Sequence, residues 1–130
     1  MTKIIVAIGG GENGRINSKG EKLPYETELI DKEIIRLTGK TYPNFLLLAH
    51  SQIPWGIEYE KRYFETMKKI YGEKYGCECR WLKISDLENN SKIVKEYVDW
   101  ADIIYEGGGD TFDMINLWER TGFDKVLKNH

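Results

Sequence analysis

Four short apolar runs alternate along the chain with longer stretches of helical periodicity, and this alternation constrains the fold more than any other feature. The second run, residues 44–49 (N-F-L-L-L-A), is apolar at successive positions, so a strand there must be buried on both faces. Residues 3–8 form a β-branched run that ends in Gly9-Gly10-Gly11. Residues 79–84 alternate Trp81 and Lys83 with Leu82 and Ile84, and residues 102–105 (D-I-I-Y) lead through Glu106 into Gly107-Gly108-Gly109-Asp110. Between the runs, residues 25–38, 57–75, 92–100 and 111–127 space their apolar side chains as amphipathic helices do, and Gly39 and Gly76 stand where helices stop. Residues 12–24 are polar and rich in Gly, Asn and Lys, as a surface loop would be. The order β-α-β-α-β-α-β-α predicts one α/β domain over residues 1–130, doubly wound, with a parallel sheet of about four main strands.

Composition excludes more than it selects. Nineteen Lys and Arg are interspersed with 21 Asp and Glu, for a net charge of -2. No basic patch points to nucleic acid, and no polybasic run points to a membrane surface. The apolar run at residues 4–8 is too short for a signal-peptide core or a membrane span, so a cytoplasmic protein is expected. Cys77 and Cys79 are two apart and would face opposite sides of a strand, which favours reduced thiols. A metal site would need further ligands, and His50 and His130 are the only histidines. No metal or cofactor is expected.

In an open parallel sheet, ligands bind beyond the carboxyl ends of the strands, near a switch in strand order. The segments to examine are residues 9–14, 50–56, 85–87 and 106–111. Residues 9–14 match G-x-G-x-x-G formally, but the following residues read as loop, whereas a dinucleotide site needs a helix to start within the motif. A permissive turn, or a loop lining a cleft through Gly10, Gly11 and Glu12, remains. Gly107-Gly108-Gly109-Asp110-Thr111 runs from a strand into a helix, with Asp110 or Thr111 as N-cap. Its bare amides could form a nest for a phosphate, a carboxylate or an oxyanion, or the segment could be a tight turn with no ligand. His50 and Ser51 are chain neighbours without a G-x-S-x-G elbow, so they read as cleft lining or, for Ser51, as a cap for the next helix. Glu12, Glu58, Glu106 and Asp110 lie in the post-strand zone, where most acids are solvated or capping. The run Glu58, Glu60, Lys61, Arg62 reads as a solvated helix face.

Residues 8–12 (I-G-G-G-E), 47–51 (L-L-A-H-S), 63–71 (Y-F-E-T-M-K-K-I-Y) and above all 101–112 (A-D-I-I-Y-E-G-G-G-D-T-F) resemble peptidase E, the aspartyl-dipeptidase and cyanophycinase-like group of the class I glutamine amidotransferase-like superfamily. Residues 117–127 match as well, so the similarity covers nearly the whole chain. The resemblance implies a flavodoxin-like, three-layer α/β/α sandwich and a serine hydrolase acting on short peptides, with Asp-X dipeptides as the family's substrates. It also implies that Gly108 and Gly109 supply the oxyanion hole, with Gly107 and Asp110 shaping the loop. The family often has Asn where this chain has Asp110, and a charge beside an oxyanion hole is tolerable only if it points away. In the family, a G-x-S-A-G elbow follows the next strand, and the histidine and acid come later. This chain contains no G-x-S-x-G, so the resemblance implies a truncated sandwich lacking the nucleophile and inactive by itself. A cut there would leave a sheet edge beside residues 102–105 and bare helix faces, which predicts a homodimer or a complex with a complementing C-terminal portion. The alternative is a non-catalytic domain that binds a small anion or a partner.

Overall fold

The computed structural model describes residues 3–9 and 11–130, which fall into two compact units, Met1–Thr41 and Tyr42–His130.

In the first unit, residues 12–27 form an irregular antiparallel hairpin rather than a plain loop, with bridges Asn13↔Tyr25 and Ile16↔Lys22. Asn17 closes its tip: the side-chain oxygen accepts the Lys19 and Glu21 N–H groups at 2.9 Å each. Helix α1 (Glu28–Leu37) follows. Its buried Asp31 accepts the Tyr25 hydroxyl at 2.7 Å and the Thr27 hydroxyl at 3.2 Å, which ties the hairpin to the helix. The strand expected at residues 3–8 is not formed, and Ile5 is 93% exposed. Chain propensity supplies only half of a strand; a neighbour must complete the ladder.

The second unit is built on strand β1 (Asn44–Leu48), whose residues 45–48 are almost wholly buried. Strands β2 (Glu78–Trp81) and β3 (Ile103–Glu106) pair with it in parallel on either side, giving the order β2-β1-β3. The sheet thus has three strands among the described residues, not four. After β1 the chain makes a 3₁₀ segment (His50–Trp55), then helix α2 (Ile57–Met67), which continues as a wider, π-type turn over Lys68–Lys74. The widening interrupts the single helix expected at residues 57–75. It brings the adjacent Ile70 and Tyr71 inward together, and Tyr71 stacks on Phe45 of β1 with ring centroids 4.2 Å apart.

Strand β2 ends earlier than residue 84. Asp86 accepts the Lys83 N–H at 3.0 Å and starts helix α3 (Ile84–Asn89), which Asn90 separates from α4 (Ser91–Trp100). Beyond β3, the helix expected over residues 111–127 is two: α5 (Thr111–Thr121) and α6 (Phe123–Asn129). Gly122, at φ 78°, is the left-handed residue that breaks them. Leu46 and Leu48 pack with Leu87, Val94, Val98, Leu117 and Phe123 on the α3–α6 side. Phe45 packs with Tyr71 and Tyr105 on the other. The result is an α/β sandwich with helices on both faces of an open parallel sheet, as in flavodoxin-like folds. β3 is an edge strand, and Phe112 and Ile115 on α5 are exposed.

Candidate functional site

The strand order fixes where a site belongs. From β1 the chain leaves toward α2 on one face and on to β2; from β3 it leaves toward α5 on the other face. The carboxyl ends of β1 and β3 are adjacent, with Leu48 opposite Glu106, so the two exits diverge at a topological switch point. The 3₁₀ segment and residues 106–110 meet there.

The two loops are laced together by polar contacts. The Gly107 N–H donates to Leu48 O at 3.4 Å, and the Asp110 N–H donates to Ser51 O at 2.8 Å. Ser51 Oγ lies 2.9 Å from Gly107 O and 3.0 Å from Glu106 Oε1. The Gln52 side-chain amide donates to Gly108 O. Because a peptide is planar and trans, fixing a carbonyl oxygen points the next N–H the opposite way. Ser51 therefore aims the Gly108 amide, and Gln52 aims the Gly109 amide. Neither amide has a protein acceptor among the described residues, and both glycines are exposed. Asp110 Oδ1 accepts the Asp113 N–H at 2.9 Å, so its carboxylate caps α5 as an asparagine would and turns its charge onto the helix start.

Gly109 is required by contact as well as by conformation. A Cβ on Gly107 would lie 2.2 Å from the Tyr63 ring, and one on Gly109, at φ +151°, would lie 2.2 Å from Ser51 O. Gly108 has open space around it.

His50 and Ser51 are both brought to this loop, yet both are buried, at 0% and 3% exposure. The His50 ring sits against Trp118 and Phe123, with Nε2 2.9 Å from Leu82 O and Nδ1 accepting the Trp118 indole N–H at 2.9 Å. These partners fix the neutral tautomer with the proton on Nε2, and burial pushes its pKa down to about 4. His50 is thus a packed hydrogen-bonding residue with no free nitrogen for proton transfer. Trp118→Phe would leave Nδ1 buried without a donor, and is expected to cost about 1–3 kcal/mol. A urea midpoint equal to wild type would show that the bond contributes nothing. Ser51 does not cap α2, whose N-cap is Gly56; its hydroxyl goes to Glu106 and Gly107.

Two carboxyl groups in this unit are shielded from solvent to different degrees. Glu106 accepts the His50 N–H at 3.4 Å and the Ser51 N–H at 3.3 Å, but burial dominates and pushes its pKa up to about 8. Glu60 is not on a solvated face: it is 1% exposed. Its Oε1 accepts the Trp81 indole N–H at 3.0 Å and the Ile84 N–H at 2.9 Å, joining α2 to the end of β2 and the start of α3. Burial raises its pKa too, and the two acids repel each other's charge. Gln52 and Glu60 had no motif to reveal them, although Glu60 shares a helical stripe with Phe64, Met67 and Tyr71.

Of the glycine segment at residues 9–14, Gly10 lies outside the described residues. Gly11 and Glu12 belong to the first unit. There the Glu12 N–H donates to Glu26 at 2.9 Å, and its carboxylate pairs with Arg15 at 3.1 Å. No group of three or more potential metal ligands occurs among the described residues. No helix is long and apolar enough to cross a membrane among those residues.

No curated protein and no solved structure matches the chain. The family model for Peptidase family S51 matches residues 6–130, a span that includes both glycine-rich loops and the switch point. The chain belongs to Peptidase family S51.

Proposed function

We propose that the loops at the switch point form the oxyanion-binding part of a serine peptidase site, in which the Gly108 and Gly109 amides face the carbonyl oxygen of a short peptide. The observation that carries this reading is the pair of consecutive exposed amides without protein acceptors, each aimed by a fixed carbonyl. Such donors stabilise the negative charge of a tetrahedral intermediate, typically by about 3–4 kcal/mol per donor. The resemblance to peptidase E makes Asp-X dipeptides the first substrates to try.

No serine in these 130 residues stands in G-x-S-x-G, and Ser51 is buried. Hydrolysis by this chain alone is therefore not expected. A homodimer, or a complex with a segment bearing the nucleophile, would meet the β3 edge and the exposed Phe112 and Ile115. The second reading, anion or partner binding without chemistry, is favoured by the same absent elbow.

The test pairs an Asp-X dipeptide panel with a phosphonate dipeptide analogue, whose charged tetrahedral centre resembles the intermediate. The analogue is expected to shift the Gly108 and Gly109 amide NMR signals saturably, with no turnover of the panel. Unperturbed amides at saturating analogue would sink the oxyanion assignment. Restored turnover on adding a nucleophile-bearing segment would select the peptidase reading; shifts by simple anions alone would select the binding reading.

A further inference from the structure

The Ser51 hydroxyl has a single proton and two acceptors in reach, Glu106 Oε1 at 3.0 Å and Gly107 O at 2.9 Å. If Glu106 were ionised, one of the two contacts would set lone pair against lone pair in a part-buried site, which is costly. If Oε1 carries a proton, every contact is satisfied: Oε1–H donates to Ser51 Oγ, and Ser51 Oγ–H donates to Gly107 O. The remaining acceptor positions of Glu106 take the His50 and Ser51 N–H groups.

The surroundings favour the same form. The 3₁₀ segment presents His50, held neutral by its two partners. Helix α2 presents Glu60, which opposes a second charge, and Tyr63, whose ring lies against Gly107. At the start of α5, Asp110 is turned to the Asp113 N–H. None of these is a cation.

We propose that Glu106 is a positioning residue that keeps a proton and, through Ser51, holds the Gly107 carbonyl, so that loss of this proton releases the peptide that aims the Gly108 amide. Above the ionisation of Glu106, the Ser51 hydroxyl turns to the carboxylate and Gly107 O loses its donor. The inference rests on the reading of Gly108 as a site amide, but its test uses no ligand and no turnover. A failed peptidase assay therefore leaves it standing, and its own failure leaves the oxyanion assignment to the phosphonate experiment.

The experiment follows the Glu106 side-chain carboxyl carbon and the Gly108 amide by NMR across a pH titration of the full chain. The carboxyl is expected to titrate near pH 8, and the Gly108 amide to move with the same midpoint. In Ser51→Ala the carboxyl should still titrate while the Gly108 amide no longer follows it. In Glu106→Gln, whose amide can donate to Ser51 but cannot ionise, the Gly108 transition should vanish. A carboxyl midpoint at or below its ordinary 4.5 would overturn the proposal. So would a Gly108 amide that stays still while Glu106 titrates, or one that keeps its transition in Glu106→Gln. Should either variant not fold, the two wild-type curves decide the matter alone.

Discussion

Gly109→Ala is expected to destabilise the protein by about 4 kcal/mol, and so to lower its melting temperature by roughly 15 °C or more. Two costs add. At φ +151° an L side chain is strained whatever space surrounds it, and here the new Cβ would also lie 2.2 Å from the Ser51 carbonyl oxygen and 2.7 Å from its carbonyl carbon. These are backbone atoms of the segment that receives the Asp110 N–H, so neither side can yield without breaking that bond. Gly108→Ala is the control. Nothing lies within 4 Å of its Cβ and its φ is not positive, so a loss below about 1 kcal/mol is expected. Thermal denaturation followed by circular dichroism measures both. If Gly109→Ala melted within a few degrees of wild type, the close meeting of the two loops would be wrong.

The second large effect is on stability as a function of pH. Glu106 has a pKa raised from 4.5 to about 8, so the protonated form is the one folding favours. Its contribution is complete below pH 4.5 and is lost as pH rises to about 8. His50 behaves oppositely: its pKa is lowered from 6.5 to about 4, so stability is lost as pH falls across that interval. Each slope amounts to about 1.4 kcal/mol per pH unit. Between pH 4.5 and 6.5 the two cancel, and above pH 6.5 only the loss from Glu106 remains, until about pH 8. Glu60, also raised, adds a loss of the same sign that begins above pH 4.5. The urea midpoint is expected to fall more steeply from pH 6.5 to 8 than from pH 4.5 to 6.5, where the gain from His50 offsets the loss from Glu106, and Glu106→Gln should flatten most of the steeper fall. A wild-type midpoint that climbed from pH 6.5 to 8 would contradict the burial of these acids.

The sheet was legible where burial wrote it twice. Residues 45–48 are apolar at every position because β1 is covered on both faces, and no helix reading survives so short a run. The G-G-G-D-T segment was legible because few other sequences let a strand turn directly into a capped helix. Residues 3–8 carry the same β-branched signature and yet form no strand, since pairing depends on a neighbour that a local pattern does not contain. The π-type widening at Lys68–Lys74 and the break at Gly122 were hidden because the apolar spacing runs through both. In Glu60 residue type and position point opposite ways. A carboxyl group favours solvent by its type, whereas its position on the buried stripe of α2 buries it. Ser51, His50 and Glu106 were visible as residues, but their mutual bonds span 55 or 56 positions and arise only from the register of β1 with β3.

That separation has a consequence for transplantation. The three glycines do not by themselves specify which way their amides face; direction comes from Ser51 and Gln52, 56 residues away in each contact. The tri-glycine turn is therefore not a portable cassette. Grafted onto another strand–helix junction it would bring its freedom without its aim, and a working copy would have to carry the neighbouring strand exit along with it.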